Sequence, residues 1–268
     1  MNTQSERSRH PFGAGFFKYR VWFVLVFLPF WVACGMTEAR LKKEKDSTAH
    51  YKFGIAYSRD IPPNLQKAYI EFQKAVKLDP RNRDAHYALG DVHFKREDYA
   101  EAIVSFKKTL LIDPRFSEAH NYMGTVHERQ GKFEEAIGEY HKALENTEYA
   151  TPQFPHWNLG SLYLKQERYD DALREFKDVL RFDPESIVAH NGLGKVYHQK
   201  GRLKEAITSY QEALQIAPAY LDAHYNLAFS YLKTGSKDLA AKEFKKVIEL
   251  SPQSQSAQEA EKFLDALQ

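Results

Sequence analysis

Residues Asp84 to Pro114 read D-A-H-Y-A-L-G-D-V-H-F-K-R-E-D-Y-A-E-A-I-V-S-F-K-K-T-L-L-I-D-P. Ala85, Leu89 and Val92 form one apolar stripe at helical spacing. Tyr99, Ala102, Ile103, Phe106 and Leu110 form a second, at i, i+3, i+4, i+7 and i+11. Both patterns predict amphipathic helices. The charged run Lys95-Arg96-Glu97-Asp98 separates them. Pro114 ends the second, because proline cannot continue a helix and pushes the residue before it towards extended backbone. The stretch is a helix–turn–helix pair that cannot bury its apolar faces alone.

The rest of the chain repeats it. The pattern A-H-x-x-L-G of Ala85–Gly90 recurs at Ala49–Gly54, Ala119–Gly124, Pro155–Gly160, Ala189–Gly194 and Ala223–Ala228. The histidines of the six copies step by 36, 34, 36, 34 and 34 residues. Pro80, Pro114, Pro184, Pro218 and Pro252 keep the same register. Two extra residues fall near Ile61-Pro62-Pro63 in the first copy and in Asn146–Thr151 after the third. Self-similarity at such a period marks a repeat array.

Over residues 47–252 the array resembles the tetratricopeptide repeat. A small column runs through Gly54, Gly90, Gly124, Gly160, Gly194 and Ala228 on the first helices. Ala68, Ala102, Ala136, Ala172, Ala206 and Ala240 continue it on the second. Small residues let helices approach to the near end of the usual 8–10 Å. A large column, Phe72, Phe106, Tyr140, Phe176, Tyr210 and Phe244, fills the space between pairs. Gly131, Gly201 and Gly235 sit at turns, where a left-handed residue ends a helix at low cost. The resemblance implies an all-α, right-handed superhelical solenoid of six helix–turn–helix repeats. Residues 253–268, with Ala257, Ala260, Phe263, Leu264 and Leu267 on one side, are expected to form a capping helix over its open end.

The N-terminus has a different character. Arg7, Arg9, Lys18 and Arg20 precede an apolar run from Val21 to Val32, which ends at Ala33-Cys34-Gly35. The run is shorter than the roughly 20 residues that a spanning helix needs, and within the 7–15 of a secretory core. A basic start, a short apolar core and a small residue before the lone cysteine resemble a bacterial lipoprotein signal, with Trp31 standing where leucine is usual. By that resemblance residues 1–33 are a signal peptide, Cys34 carries the lipid, and 34–46 is a charged tether. Gly35, where an inner-membrane retention aspartate would stand, implies an outer-membrane lipoprotein facing the periplasm. Two alternatives are an uncleaved inner-membrane anchor over Val21–Met36 and an ordinary buried cysteine.

Charge and residue usage exclude other classes. The net charge is +2 over 268 residues, and beyond the basic N-terminus the balance is close to neutral. No Lys/Arg block tracks a phosphate backbone, so no nucleic acid is expected. A single cysteine allows neither an intramolecular disulfide nor a cysteine-rich zinc site. The column His50, His86, His120, His156, His190 and His224 invites a metal reading. Equivalent positions lie two helix layers apart, however, while zinc needs its nitrogens at about 2 Å from one ion. Packing is the expected role, with no metal and no cofactor. Glu134-Glu135 and Asp170-Asp171 fall at helix starts, where carboxylates suit the helix dipole. No phosphate loop, nucleophile elbow or H-E-x-x-H is present, so no enzyme is expected.

What remains is a surface. By the family's pattern, the first helix of each repeat lines the inner groove. The expected groove residues are Tyr51, Tyr87, Phe94, Asn121, Trp157, Leu164, Asn191, Tyr225, Phe229 and Leu232, with Thr125, Glu128, Lys195 and His198 at neighbouring positions. Aromatics beside polar groups are the composition of a recognition surface; the alternative for each is packing between repeats. A lysine clamp for a C-terminal carboxylate is absent. Six repeats behind such a signal resemble the pilotin lipoproteins of type IV pilus assembly. That resemblance implies a protein partner, a secretin or its peptide segments. A periplasmic adaptor for envelope or cell-wall enzymes, or a regulatory domain on an uncleaved anchor, are the other readings.

Overall fold

The computed structural model describes the backbone from Lys18 to Leu267 and the side chains from Thr37 to Leu267. Of the expected signal peptide, residues 1–17 and all side chains lie outside the described residues, as does the side chain of Cys34. Thirteen helices follow one another among them: α1 Lys18–Ser58, α2 Leu65–Leu78, α3 Arg83–Lys95, α4 Tyr99–Ile112, α5 Ser117–Arg129, α6 Phe133–Glu145, α7 Gln153–Lys165, α8 Tyr169–Phe182, α9 Ile187–Gln199, α10 Leu203–Ile216, α11 Leu221–Lys233, α12 Lys237–Leu250 and α13 Gln255–Leu267. The fold is all-α, built from consecutive helix pairs, as the repeat pattern predicts. The chain forms two compact units, residues 1–88 and 89–268.

In the first unit α1 packs along α2. The ring of Phe72 lies against Gly54, where an added Cβ would come within 2.4 Å of it. Ser47 is fully buried; its hydroxyl donates to the Ala75 carbonyl at 2.8 Å and accepts from Asn82 Nδ2 at 2.8 Å. The charged stretch ahead of the first repeat, expected as a tether, is helical and exposed from Thr37 to Lys43, with Arg40 and Glu44 paired at 2.8 Å. The inserted Ile61-Pro62-Pro63 stays on the surface, and Asn64 caps α2 by accepting from the Lys67 amide at 3.0 Å.

The second unit repeats one packing rule. Each second helix presses its large ring onto the small residue of its own first helix. An added Cβ at Gly90 would meet Phe106 at 2.4 Å, one at Gly124 would meet Tyr140 at 2.6 Å, and one at Gly194 would meet Tyr210 at 2.4 Å. The small column thus makes room for a ring as well as for a neighbouring helix. Phe106, Tyr140, Phe176, Tyr210 and Phe244 are all buried, each worth about 2–3 kcal/mol of burial. The helices stop where proline dictates: Asp113 and Asp183 leave the helical region at φ −134° and −137°, just before Pro114 and Pro184. The longer connection after α6 is not a loose insertion. Tyr149 is buried, and Asn146 Nδ2 donates to the Arg115 carbonyl at 3.0 Å.

First helices also touch the next first helix: α5 meets α7, α7 meets α9, and α9 meets α11. The second helices make no comparable contact among the described residues. The first-helix side is therefore the more closely packed face, and it carries the candidate side chains.

Candidate functional site

The first-helix face starts from the histidine column, because it fixes how each first helix sits on its partner. His120 Nδ1 meets Glu139 at 2.6 Å, His156 meets Glu175 at 2.8 Å, His190 meets Glu212 at 3.0 Å and His224 meets Glu243 at 2.6 Å. In the first unit His50 meets Glu71 at 2.6 Å, and His86 Nε2 meets the Pro80 carbonyl at 3.0 Å. The column packs, as expected, and all of it but His86 also hydrogen-bonds to carboxylates of the second helices, which the sequence reading missed. Its signal was a glutamate one residue before the large ring: Glu71, Glu139, Glu175 and Glu243. The Nε2 of His224 faces the Pro218 carbonyl at 2.9 Å, so both ring nitrogens point at acceptors. Burial disfavours the charged ring, but Glu243 and the carbonyl outweigh it and raise its pKa.

His156, Glu175 and Asp178 bring one ligand atom each to within 4.8 Å of one another. Their contacts are with protein: His156 with Glu175, and Asp178 with Arg181 at 3.0 Å. The His156 ring stacks on Phe182 at 5.8 Å.

The expected groove residues divide in two. Several make packing contacts, the alternative the sequence leaves for each. Asn191 is buried and accepts from Asn226 at 3.2 Å, and Asn121 accepts from Asn158 at 3.0 Å, so these amides join neighbouring repeats. Phe94 sits edge-on to Tyr122 at 5.9 Å. Leu164 packs on one apolar core and Leu232 on the next. Tyr225 and Phe229 are held by the terminal helix: Tyr225 donates to Glu259, and Phe229 meets Phe263 at 5.0 Å. Burial and Glu259 push the Tyr225 phenol up to about 12. These two stand at the same repeat positions as Glu259 and Phe263, so α13 covers them as a further first helix would. In the first unit Tyr51 lies 6.0 Å from Phe72, and burial raises its phenol; Tyr87 is half-buried.

Trp157 is different. It is 38% exposed, with no hydrogen bond or ring contact among the described residues. Further along the same face lies a cavity of about 420 Å³, walled by α7, α9 and α11 and floored by α10. Leu164 and Phe229 supply its apolar side, and Lys195, His198 and Asn226 its polar side. Tyr210 of the large column and Lys165 also reach it. Lys165 and Tyr210 were not among the expected groove residues, since their repeat positions predict surface and filler.

Known proteins share this architecture. Family models for the tetratricopeptide repeat match residues 195–235 and 221–254, and the C-terminal ARM domain of tetratricopeptide repeat protein 21 matches 66–187. The fold is that of the tetratricopeptide repeat. Among solved structures, the repeat array is similar to PilF of Pseudomonas aeruginosa, at TM-score 0.73 and 22% identity, covering 83% of this chain and 99% of that one. It is similar to PilW, a widely conserved type IV pilus biogenesis factor, at 0.72 and 21%, covering 80% and 97%. YrrB, a tetratricopeptide protein with an unusual peptide-binding site, matches at 0.58 and 21%, covering 71% and 97%. No curated protein sequence matches the chain. Tetratricopeptide arrays present extended surfaces for protein partners, and no catalytic family is among the matches. Among the described residues no helix is long and apolar enough to cross a membrane.

Proposed function

We propose that the chain is a non-enzymatic scaffold, anchored outside the cytoplasm through a lipid on Cys34, that assists type IV pilus assembly by holding secretin segments on its first-helix face. The observation that carries the binding reading is Trp157. A large aromatic left exposed on the same helix that carries Leu164 of the cavity wall is the kind of anchor at which interface energy concentrates. The pilus assignment is supported by the likeness to PilF and PilW, which extends over nearly the whole of those chains. The anchor reading rests on the basic flank, the apolar run and Val32-Ala33-Cys34.

Two experiments test it. Cells fed radioactive palmitate should label the wild-type chain and not Cys34→Ala; a wild type that takes up no label overturns the anchor. Deleting the protein should abolish the SDS-resistant secretin multimer. An intact multimer at normal abundance overturns the assembly role and leaves the envelope adaptor in its place.

A further inference from the structure

Two of the six large-column residues are tyrosines, and they stand in unlike surroundings. In the third repeat Tyr140 is sealed from solvent, and its hydroxyl lies 3.1 Å from Glu128 and 3.4 Å from Thr125, both on α5. A buried phenol has found a carboxylate acceptor on the first-helix face. Seventy residues on, Tyr210 stands at the same repeat position, with Lys195 where Thr125 is and His198 where Glu128 is. Tyr210 is 1% exposed and lines the 420 Å³ cavity, and its hydroxyl has no partner among the described residues. Lys195, half-buried on the same wall, has none either. In the fifth repeat an imidazole thus replaces the protein's own carboxylate, and an ammonium replaces the threonine, on a cavity whose tyrosine hydroxyl is an unanswered donor.

The third wall group completes the pattern. The Ser230 hydroxyl donates to the Asn226 carbonyl at 3.1 Å, so His198 Nδ1, at 2.8 Å, must be the donor to Ser230 Oγ. Burial and Lys233 hold His198 below the usual imidazole range, so the ring is neutral and Nε2 is its remaining acceptor. The cavity thus offers the Lys195 ammonium and the Tyr210 hydroxyl to an anion, His198 Nε2 to an N–H, and the apolar sides of Leu164 and Phe229; Glu167, the one carboxylate on its lining, is solvent-exposed in the turn after α7.

We propose that this cavity receives the side-chain carboxylate of a glutamate or aspartate in an extended partner segment, bound by Lys195 and the Tyr210 hydroxyl. His198 Nε2 accepts a neighbouring backbone N–H, and the side chain's methylenes lie against Phe229 and Leu164. The walls come from three successive first helices, so a segment lying along the first-helix face passes over all three. The inference rests on the first-helix face being the partner surface. It adds an acidic residue as the partner chemistry.

The test uses N-acetylglutamate N-methylamide as probe and follows the His198 and Tyr210 ring resonances of the full folded chain by NMR. The expected result is saturable shifts with millimolar affinity. The glutamine analogue should bind at least about tenfold more weakly, since a charge-assisted hydrogen bond contributes roughly 1.5–3 kcal/mol and 1.4 kcal/mol is tenfold. Tyr210→Phe and Lys195→Met should each weaken the glutamate probe about fivefold or more, while Tyr140→Phe leaves it unchanged. Four large-column positions already hold phenylalanine, so Tyr210→Phe keeps the fold, and a melting curve checks this. No saturable shift, equal binding of the glutamine analogue, or unchanged binding by both fifth-repeat variants overturns the proposal. Tighter binding of N-acetylalanine, which carries a terminal carboxylate, overturns the side-chain source. The partner-surface reading is scored separately by Trp157, so the two fail independently.

Discussion

Tyr140 and Tyr210 share a repeat position and a ring environment, yet their hydroxyls have different fates. Removing the Tyr140 hydroxyl leaves Glu128 without its donor, so Tyr140→Phe should cost about 1 kcal/mol or somewhat more in urea unfolding. Tyr210→Phe should cost less than about 0.5 kcal/mol, because no protein partner is lost. Equal costs would mean that Tyr210 has a partner in the folded chain. His224 makes a pH prediction. Its pKa is raised in the fold, so its contribution is fully present below the ordinary imidazole range and is lost as pH rises through the raised value. Lys246, the other charge facing the ring, opposes the effect without reversing it. Glu243→Gln removes the main support for the charged ring. The wild type should therefore lose more unfolding free energy than the variant between about pH 6 and pH 8; parallel curves would contradict the ion pair. The histidine column was legible as a column and not as a set of pairs. Which second-helix carboxylate meets which ring depends on the angle at which two helices cross, and one helix's periodicity does not contain that angle.

At the scale of the element, the turns between first and second helices show what repeat register adds to local pattern. Gly131, Gly201 and Gly235 take φ of 74°, 72° and 79°, as their placement predicts. The equivalent residues of the second and fourth repeats are Glu97 and Glu167, held at φ 63° and 61°. An L-residue there costs roughly 1–2 kcal/mol, which the flanking helix contacts overcome. Glu97→Gly should therefore raise stability by up to about 1 kcal/mol, the relief being partly offset by glycine's greater freedom when unfolded. A fall in melting temperature would show that Glu97 makes contacts worth more than its strain. The sequence shows the first of these turns only as a charged break, because no local rule marks glutamate for a left-handed conformation. The terminal helix was legible in extent, since Ala257 and Ala260 repeat the small, buried face of a first helix. Its covering of Tyr225 and Phe229 was not, because exposure in the last repeat depends on how the terminal helix docks.

For the whole molecule, six copies in register made the fold plain from sequence, and the helix pairs form where the proline spacing puts them. The binding face was legible only in outline. Position along a first helix narrows the candidates, but amide pairs such as Asn191 with Asn226 and ring contacts such as Phe94 with Tyr122 withdraw several of them into the packing between repeats. Trp157 and the cavity near Lys195 are what the packing leaves over. The scaffold function therefore turns on Trp157 acting as a binding residue and not a structural one. In cells lacking the protein, wild type or Trp157→Ala is restored at matched abundance, and the SDS-resistant secretin multimer is measured beside the melting temperature of each purified chain. The variant is predicted to lose about two-thirds or more of the multimer, as removal of an interface anchor worth about 2 kcal/mol would produce, while melting within about 2 °C of wild type. A full complement of multimer from a normally folded Trp157→Ala chain would contradict a binding role for Trp157.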